Sequence, residues 1–150
     1  MTEPRSDGEA MREAADRSAQ PMRYPENHVL GVVDTLEQLR SAVQALREGG
    51  FLTSELDVTC GTGAADALDA TTGRTGLAGL AIRVAERLGI ENDEMATKER
   101  YEQAMRDGRF VVSASAPTDE RKALAAKILQ EHGGHFINFL GRYTMVRMHP

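Results

Sequence analysis

Cysteine is nearly missing: Cys60 is the only one in 150 residues. An internal disulfide is therefore excluded, and the usage fits a reducing compartment. Basic residues are outnumbered, 18 Lys and Arg against 23 Asp and Glu, for a formal charge of −5. The chain lacks the overall positive field that drives non-specific phosphate binding. No four Lys or Arg cluster; the nearest group, Lys98, Arg100 and Arg106, is interleaved with Glu99, Glu102 and Asp107. That pattern reads as a solvated helix face, and no nucleic-acid partner is expected. Long apolar runs are missing too. No segment approaches the ~18 apolar residues that span a bilayer, and the opening MTEPRSDGEAMREAADRSAQ has mixed charge and no apolar core. The expectation is a soluble, cytoplasmic protein with no secretory leader and no membrane partner.

Catalytic signatures are equally scarce. There is no G-x-x-x-x-G-K-S/T, no C-x-x-C and no H-E-x-x-H. The closest approach to a dinucleotide loop is Cys60-Gly61-Thr62-Gly63-Ala64-Ala65-Asp66, where Asp66 stands in the place of the third glycine. An acid at a helix start repels phosphate, so the reading is a strand-exit turn, with anion binding helped by Arg74 as the alternative. No local motif marks a serine nucleophile, and the carboxylates Asp66, Asp69, Glu91, Asp93 and Glu94 sit where turns and helix starts favour them. No catalytic residue, cofactor or metal is assigned, and the expectation leans away from an enzyme.

What is present is a fold pattern. A chain of this length suits one domain and buries roughly 70% of its unfolded surface. Residues 1–27 carry six acids, four arginines and three prolines, and read as a mobile tail. A single α+β domain is expected over 28–148: a first βαβ unit at 28–60, a helical insert at 61–108 and a second unit at 109–148. In the first unit, Val29 to Val33 form a buried strand. Asp34 or Thr35 caps a helix with Glu37 or Gln38 as reciprocal partner, Leu36, Leu39, Val43 and Leu46 make one stripe, and Gly49-Gly50 stops it before Phe51. Leu56, Val58 and Cys60 alternate with Asp57 and Thr59 as a half-exposed strand. The second unit repeats the order, with Phe110 to Ser115, a helix from Pro117-Thr118, Gly133-Gly134 and Phe136 to Leu140.

Such a tandem predicts a ferredoxin-like four-stranded antiparallel sheet with two packing helices on one face, plus the inserted helical segment. In the insert, one helix is expected from Thr75 with Leu77, Leu80, Ala81, Val84 and Leu88 inward. A second, charged helix is expected from Asn92, carrying Tyr101 and Met105 at i, i+4 and stopped by Gly108. Strands apolar on both faces need a cover on the bare side, supplied by the insert or by a twin subunit.

The densest chemistry lies in HGGHFINFLGRYTMVRM, residues 132–148. His132 falls at a helix end, where an imidazole suits the carbonyl terminus. His135 opens a strand. Together they suggest a metal pair if His28 or Cys60 joined them, although the ligand spacing of known zinc sites is missing. Arg74 and Thr75, in the glycine-punctuated stretch 71–76, suggest a phosphate or carboxylate grip shared with His132, His135 and Arg142. Phe136, Phe139, Tyr143 and Met145 read as core or as an assembly surface, and residues 144–148 as an extra strand or a partner arm.

Four phrases carry a family likeness: VVDTLEQLRSAVQALREGGF, CGTGAADALDATTGRTGL, YEQAMRDGRFVV and EHGGHFINFLGRYT. From about His28 to Thr144 the chain resembles the small bacterial general-stress or heat-induced-stress proteins. Similar proteins often place Trp where Tyr143 stands, and some carry a glycine- and alanine-rich apolar link where this insert is shorter and polar. The resemblance implies a compact α/β fold and a stress association, with no reaction to transfer. The leading expectation is a non-catalytic stress-associated module acting as a homo-oligomer, a dimer above all, or as a partner- or ligand-binding protein. The rival expectations are a small enzyme or sensor for a phosphate- or carboxylate-bearing molecule near Arg74 and His135, and a metal protein through His132 and His135.

Overall fold

The computed structural model describes residues 27–69, 76–85, 95–141 and 145–149. The expected tail falls outside these residues except for Asn27. β1 (His28–Val33) leads into α1 (Leu36–Glu48), then a 3-10 turn (Thr53–Glu55) and β2 (Leu56–Cys60). α2 (Thr62–Asp69), β3 (Ala81–Val84) and α3 (Met95–Arg106) follow. β4 (Phe110–Ser115), α4 (Asp119–Glu131), β5 (His135–Leu140) and β6 (Met145–His149) complete the described chain.

The local logic of the two outer units is repeated. Thr35 and Thr118 are both extended N-caps whose hydroxyls accept from Gln38 N and Arg121 N, and each opens a helix of 13 residues. Gln38 returns the favour by accepting from Asp34 N at 2.9 Å. Each helix then closes on a left-handed glycine, Gly50 at φ 100 and Gly133 at φ 85. Phe51 N bonds back to Leu46 O at 3.0 Å and Gly134 N to Leu129 O at 2.7 Å, so orphan carbonyls are satisfied at both ends.

The sheet differs from the expected one. Among the described residues it has six strands in the order β3-β2-β4-β1-β5-β6, not four, and it is mixed. The inner pairs β2·β4, β4·β1 and β1·β5 are antiparallel, but β3 runs parallel to β2 and β6 adds an antiparallel edge to β5. Four α-helices accompany it among the described residues, rather than two plus an insert. The expected helix from Thr75 fails over Ala81–Val84, which is strand β3. Its apolar residues fit helical spacing, yet in so short a run that spacing also fits a strand, and β-branched Ile82 and Val84 favour the pleat. Where an extra strand or partner arm is expected over 144–148, Met145–His149 forms the edge strand β6.

Both faces are covered. On the first, α1 and α4 pack over Val29, Val33, Val58, Cys60, Val112 and Ile137. On the second, Tyr101, Ala104 and Met105 of α3 cover Leu30, Val32, Val111, Phe136 and Leu140. The insert thus occupies the middle of the face for which a twin subunit was the other available cover. The second face is also more polar than expected, because His28, Asp57, Thr59, Ser113 and Asn138 are buried there. β2 is consequently buried on both sides rather than half exposed. No helix among the described residues is long and apolar enough to cross a membrane.

Candidate functional site

An irregularity in β5 builds the site. Leu30 faces Asn138 and Val32 faces His135, so Gly31 alone stands opposite two residues, Phe136 and Ile137. Phe136 occupies the left-handed region at φ 50. In an unbroken strand His135 and Phe136 would point to opposite faces. With the bulge, both line one small cavity of about 150 Å³ beneath the C-terminal half of α3. Gly31 makes room on the other side, since a Cβ there would lie 3.2 Å from both Ile137 Cγ1 and Leu129 Cδ1.

A left-handed phenylalanine costs about 1–3 kcal/mol and persists only where its surroundings over-determine it. Here they do. The Phe136 carbonyl accepts from Tyr101 Oη at 2.9 Å and from Asn138 Nδ2 at 3.1 Å, while Asn138 Nδ2 also donates to Tyr101 Oη at 2.8 Å. The Tyr101 and Phe136 rings lie 4.9 Å apart, and the Arg100 guanidinium sits 3.7 Å from the Phe136 ring centre. Burial pushes the Tyr101 hydroxyl well above its ordinary range, so it stays a neutral donor.

The wall of the cavity is polar on one side and carries charges of both signs. Arg100, Gln103, Asp107, Arg109 and His135 contribute to it, with Val32, Ala104 and Phe136 as the apolar part. His135 Nε2 bonds Asp34 Oδ1 at 2.7 Å, and Arg109 Nε approaches the same oxygen at 3.4 Å. Gln103 Nε2 donates to Asp107 Oδ1 at 2.8 Å. Arg100 has no carboxylate partner among the described residues and lies exposed at the mouth. A guanidinium pair and an imidazole around a space of this size suit a small oxyanion.

Of the residues singled out from the sequence, His135 and Phe136 are brought together in the cavity. His132 is not with them: it caps the end of α4, and its Nδ1 lies 2.6 Å from Ser41 Oγ on α1. The two histidines therefore serve different partners, and no group of three or more His, Cys, Asp or Glu among the described residues is arranged to hold a metal ion. Cys60 is buried in the first-face core, whereas His28 bonds Ser113 on the second, so the sheet separates those two recruits. Phe139 is 8% exposed and packs in the first-face core with Lys122 Nζ 3.9 Å from its ring centre. Met145 pairs with Leu140 through the β5·β6 ladder. Arg74, Thr75, Arg142 and Tyr143 lie outside the described residues. Just after Arg74 and Thr75 in the chain, Arg47 donates to the carbonyls of Gly76 at 2.8 Å and Ala78 at 3.0 Å.

Sequence reasoning missed Asp34, Arg100, Gln103 and Arg109. Reading Arg100 on a solvated helix face is correct for exposure but overlooks the flank it shares with Gln103 and buried Ala104. A second polar group also escaped notice. Asp57, Ser113 and His28 stand side by side across β2, β4 and β1, with His28 Nδ1 2.8 Å from Ser113 Oγ and Arg83 Nη2 3.9 Å from Asp57 Oδ2. Burial first, then Arg83, lowers the His28 pKa; burial raises that of Asp57, with Arg83 opposing. Asp57 Oδ1 is buried without a hydrogen-bond partner. No protein-family model, curated protein or solved structure matches the chain.

Proposed function

We propose that this chain is a non-catalytic, cytoplasmic ligand-binding module of a bacterial stress response, and that the cleft beside His135 holds a phosphate- or carboxylate-bearing small molecule. The stress association rests on the likeness of EHGGHFINFLGRYT and its companion phrases. Binding rests on one observation: the strained bulge at Phe136 that puts His135 and Phe136 into the same cavity as Arg100 and Arg109. Strain of that kind is retained where geometry serves a site. The lining supplies fork-shaped donors for an oxyanion but no hydroxyl or thiol nucleophile among the described residues, which suits holding rather than transforming a ligand.

A thermal-shift panel of inorganic phosphate, sulfate, sugar phosphates, nucleotides and small carboxylates tests the reading. A true ligand at about 100 times its Kd stabilises the fold by about 2.7 kcal/mol, and Arg109→Gln abolishes most of that shift. A flat response across the whole panel overturns the proposal.

A further inference from the structure

Building on the oxyanion reading of the cleft, we infer that the ligand binds together with one proton, taken up by His135. The hydrogen-bond pattern sets the coupling. An ionised carboxylate only accepts, so the 2.7 Å contact to Asp34 Oδ1 requires the hydrogen on His135 Nε2. In the neutral ring Nδ1 then carries a lone pair, and it makes no hydrogen bond to a described residue. An anion seated against Nδ1 would meet that lone pair acceptor to acceptor. Protonation converts Nδ1 into a donor and leaves the Asp34 bond intact.

Charge balance points the same way. Arg100 lines the cleft beside His135 from α3, Asp107 and Arg109 from the turn between α3 and β4, and Asp34 reaches it from the turn after β1. These two cations and two carboxylates cancel, so with a neutral imidazole the cleft has no net charge to offer. The proton on His135 makes it +1. Arg147 of β6 lies further off, 5.3 Å from the Phe136 ring centre. Asp34 thus acts as a positioning residue: it fixes which nitrogen keeps its hydrogen whatever the charge of the ring, and it offsets Arg109, so that protonation of the histidine adds one positive charge to the cleft.

Sulfate is the suitable probe, because it stays doubly ionised where imidazole titrates. Calorimetric titration of the full chain with sulfate, at constant ionic strength from about pH 5.5 to about pH 8.5, measures the coupling. The affinity of the wild-type chain should fall as pH rises across this range, towards tenfold per pH unit at its alkaline end. His135→Gln should bind more weakly and with no pH dependence, while His28→Gln, altering the histidine across the sheet face, should keep the wild-type slope. Sulfate binding of unchanged affinity across the range overturns the coupling and leaves the cleft as an anion site. A His135→Gln variant that retains the slope also overturns it. No sulfate binding at any pH overturns the coupling and the anion reading together.

Discussion

At the scale of single residues, the glycines of Cys60-Gly61-Thr62-Gly63 show how alike two letters can look and how differently they act. A Cβ on Gly61 would collide with the Met105 carbonyl, so this glycine exists to let α3 approach the end of β2. A Cβ on Gly63 would meet nothing within 4 Å. Gly61→Ala should therefore cost about 1–3 kcal/mol, as overpacking does. Gly63→Ala, inside helix α2, should stabilise by about 0.5–1 kcal/mol. Chemical denaturation of both variants checks the pair, and equal effects would refute this division of roles. The motif that most resembles a phosphate loop is thus, at its first glycine, a packing contact.

At the scale of elements, α3 decides the character of the second sheet face. Tyr101 is fully buried, and its hydroxyl ties the helix to the β5 bulge through the Phe136 carbonyl and Asn138. Tyr101→Phe keeps the ring contact with Phe136 and removes the hydroxyl, leaving Asn138 Nδ2 one acceptor short. The expected cost is about 1–3 kcal/mol, with faster amide exchange at Phe136 and Ile137 than in the rest of β5. Unchanged exchange at the bulge would show that the hydroxyl does not hold it. The i, i+4 spacing of Tyr101 and Met105 is legible in the sequence, and the structure buries both against the second face. Their target was not legible, because a bulge is set by how two distant strands align around Gly31.

At the scale of the whole molecule, the polar row on the second face makes stability depend on pH. His28 has a lowered pKa in the fold, from burial first and Arg83 second, against an ordinary value of 6.5. The unfolded chain therefore binds the proton more readily, so the contribution is fully present above 6.5 and is lost as pH falls below it. Asp57 behaves oppositely. Burial raises its pKa above the ordinary 3.8, so the folded state favours the neutral acid, and stability is lost as pH rises from 3.8 through the raised value. Two outcomes follow in thermal melts across pH. His28→Gln should flatten the loss below about pH 6.5. Asp57→Asn, which replaces a desolvated carboxylate by a neutral isostere, should melt higher than wild type at neutral pH and converge with it in acid. A wild-type-like profile for either variant would contradict the burial-driven shifts.

The sequence by itself determined the parts that depend on neighbours along the chain. Thr35 and Thr118 as caps, Gly50 and Gly133 as stops, and the strands opened by Val29 and Phe110 all follow from contacts within a few residues. So does the repeat they compose. Tertiary structure alone decided the number and sense of the strands, since Ala81–Val84 carries a pattern that helix and strand share and only pairing with β2 resolves it. It alone assembled the cleft as well. Asp34, Arg100, Arg109 and His135 are dispersed over 102 positions of sequence, and no local spacing relates them. They meet because one residue too many in β5 bends the strand beneath α3, a consequence of long-range register that no short stretch of sequence encodes.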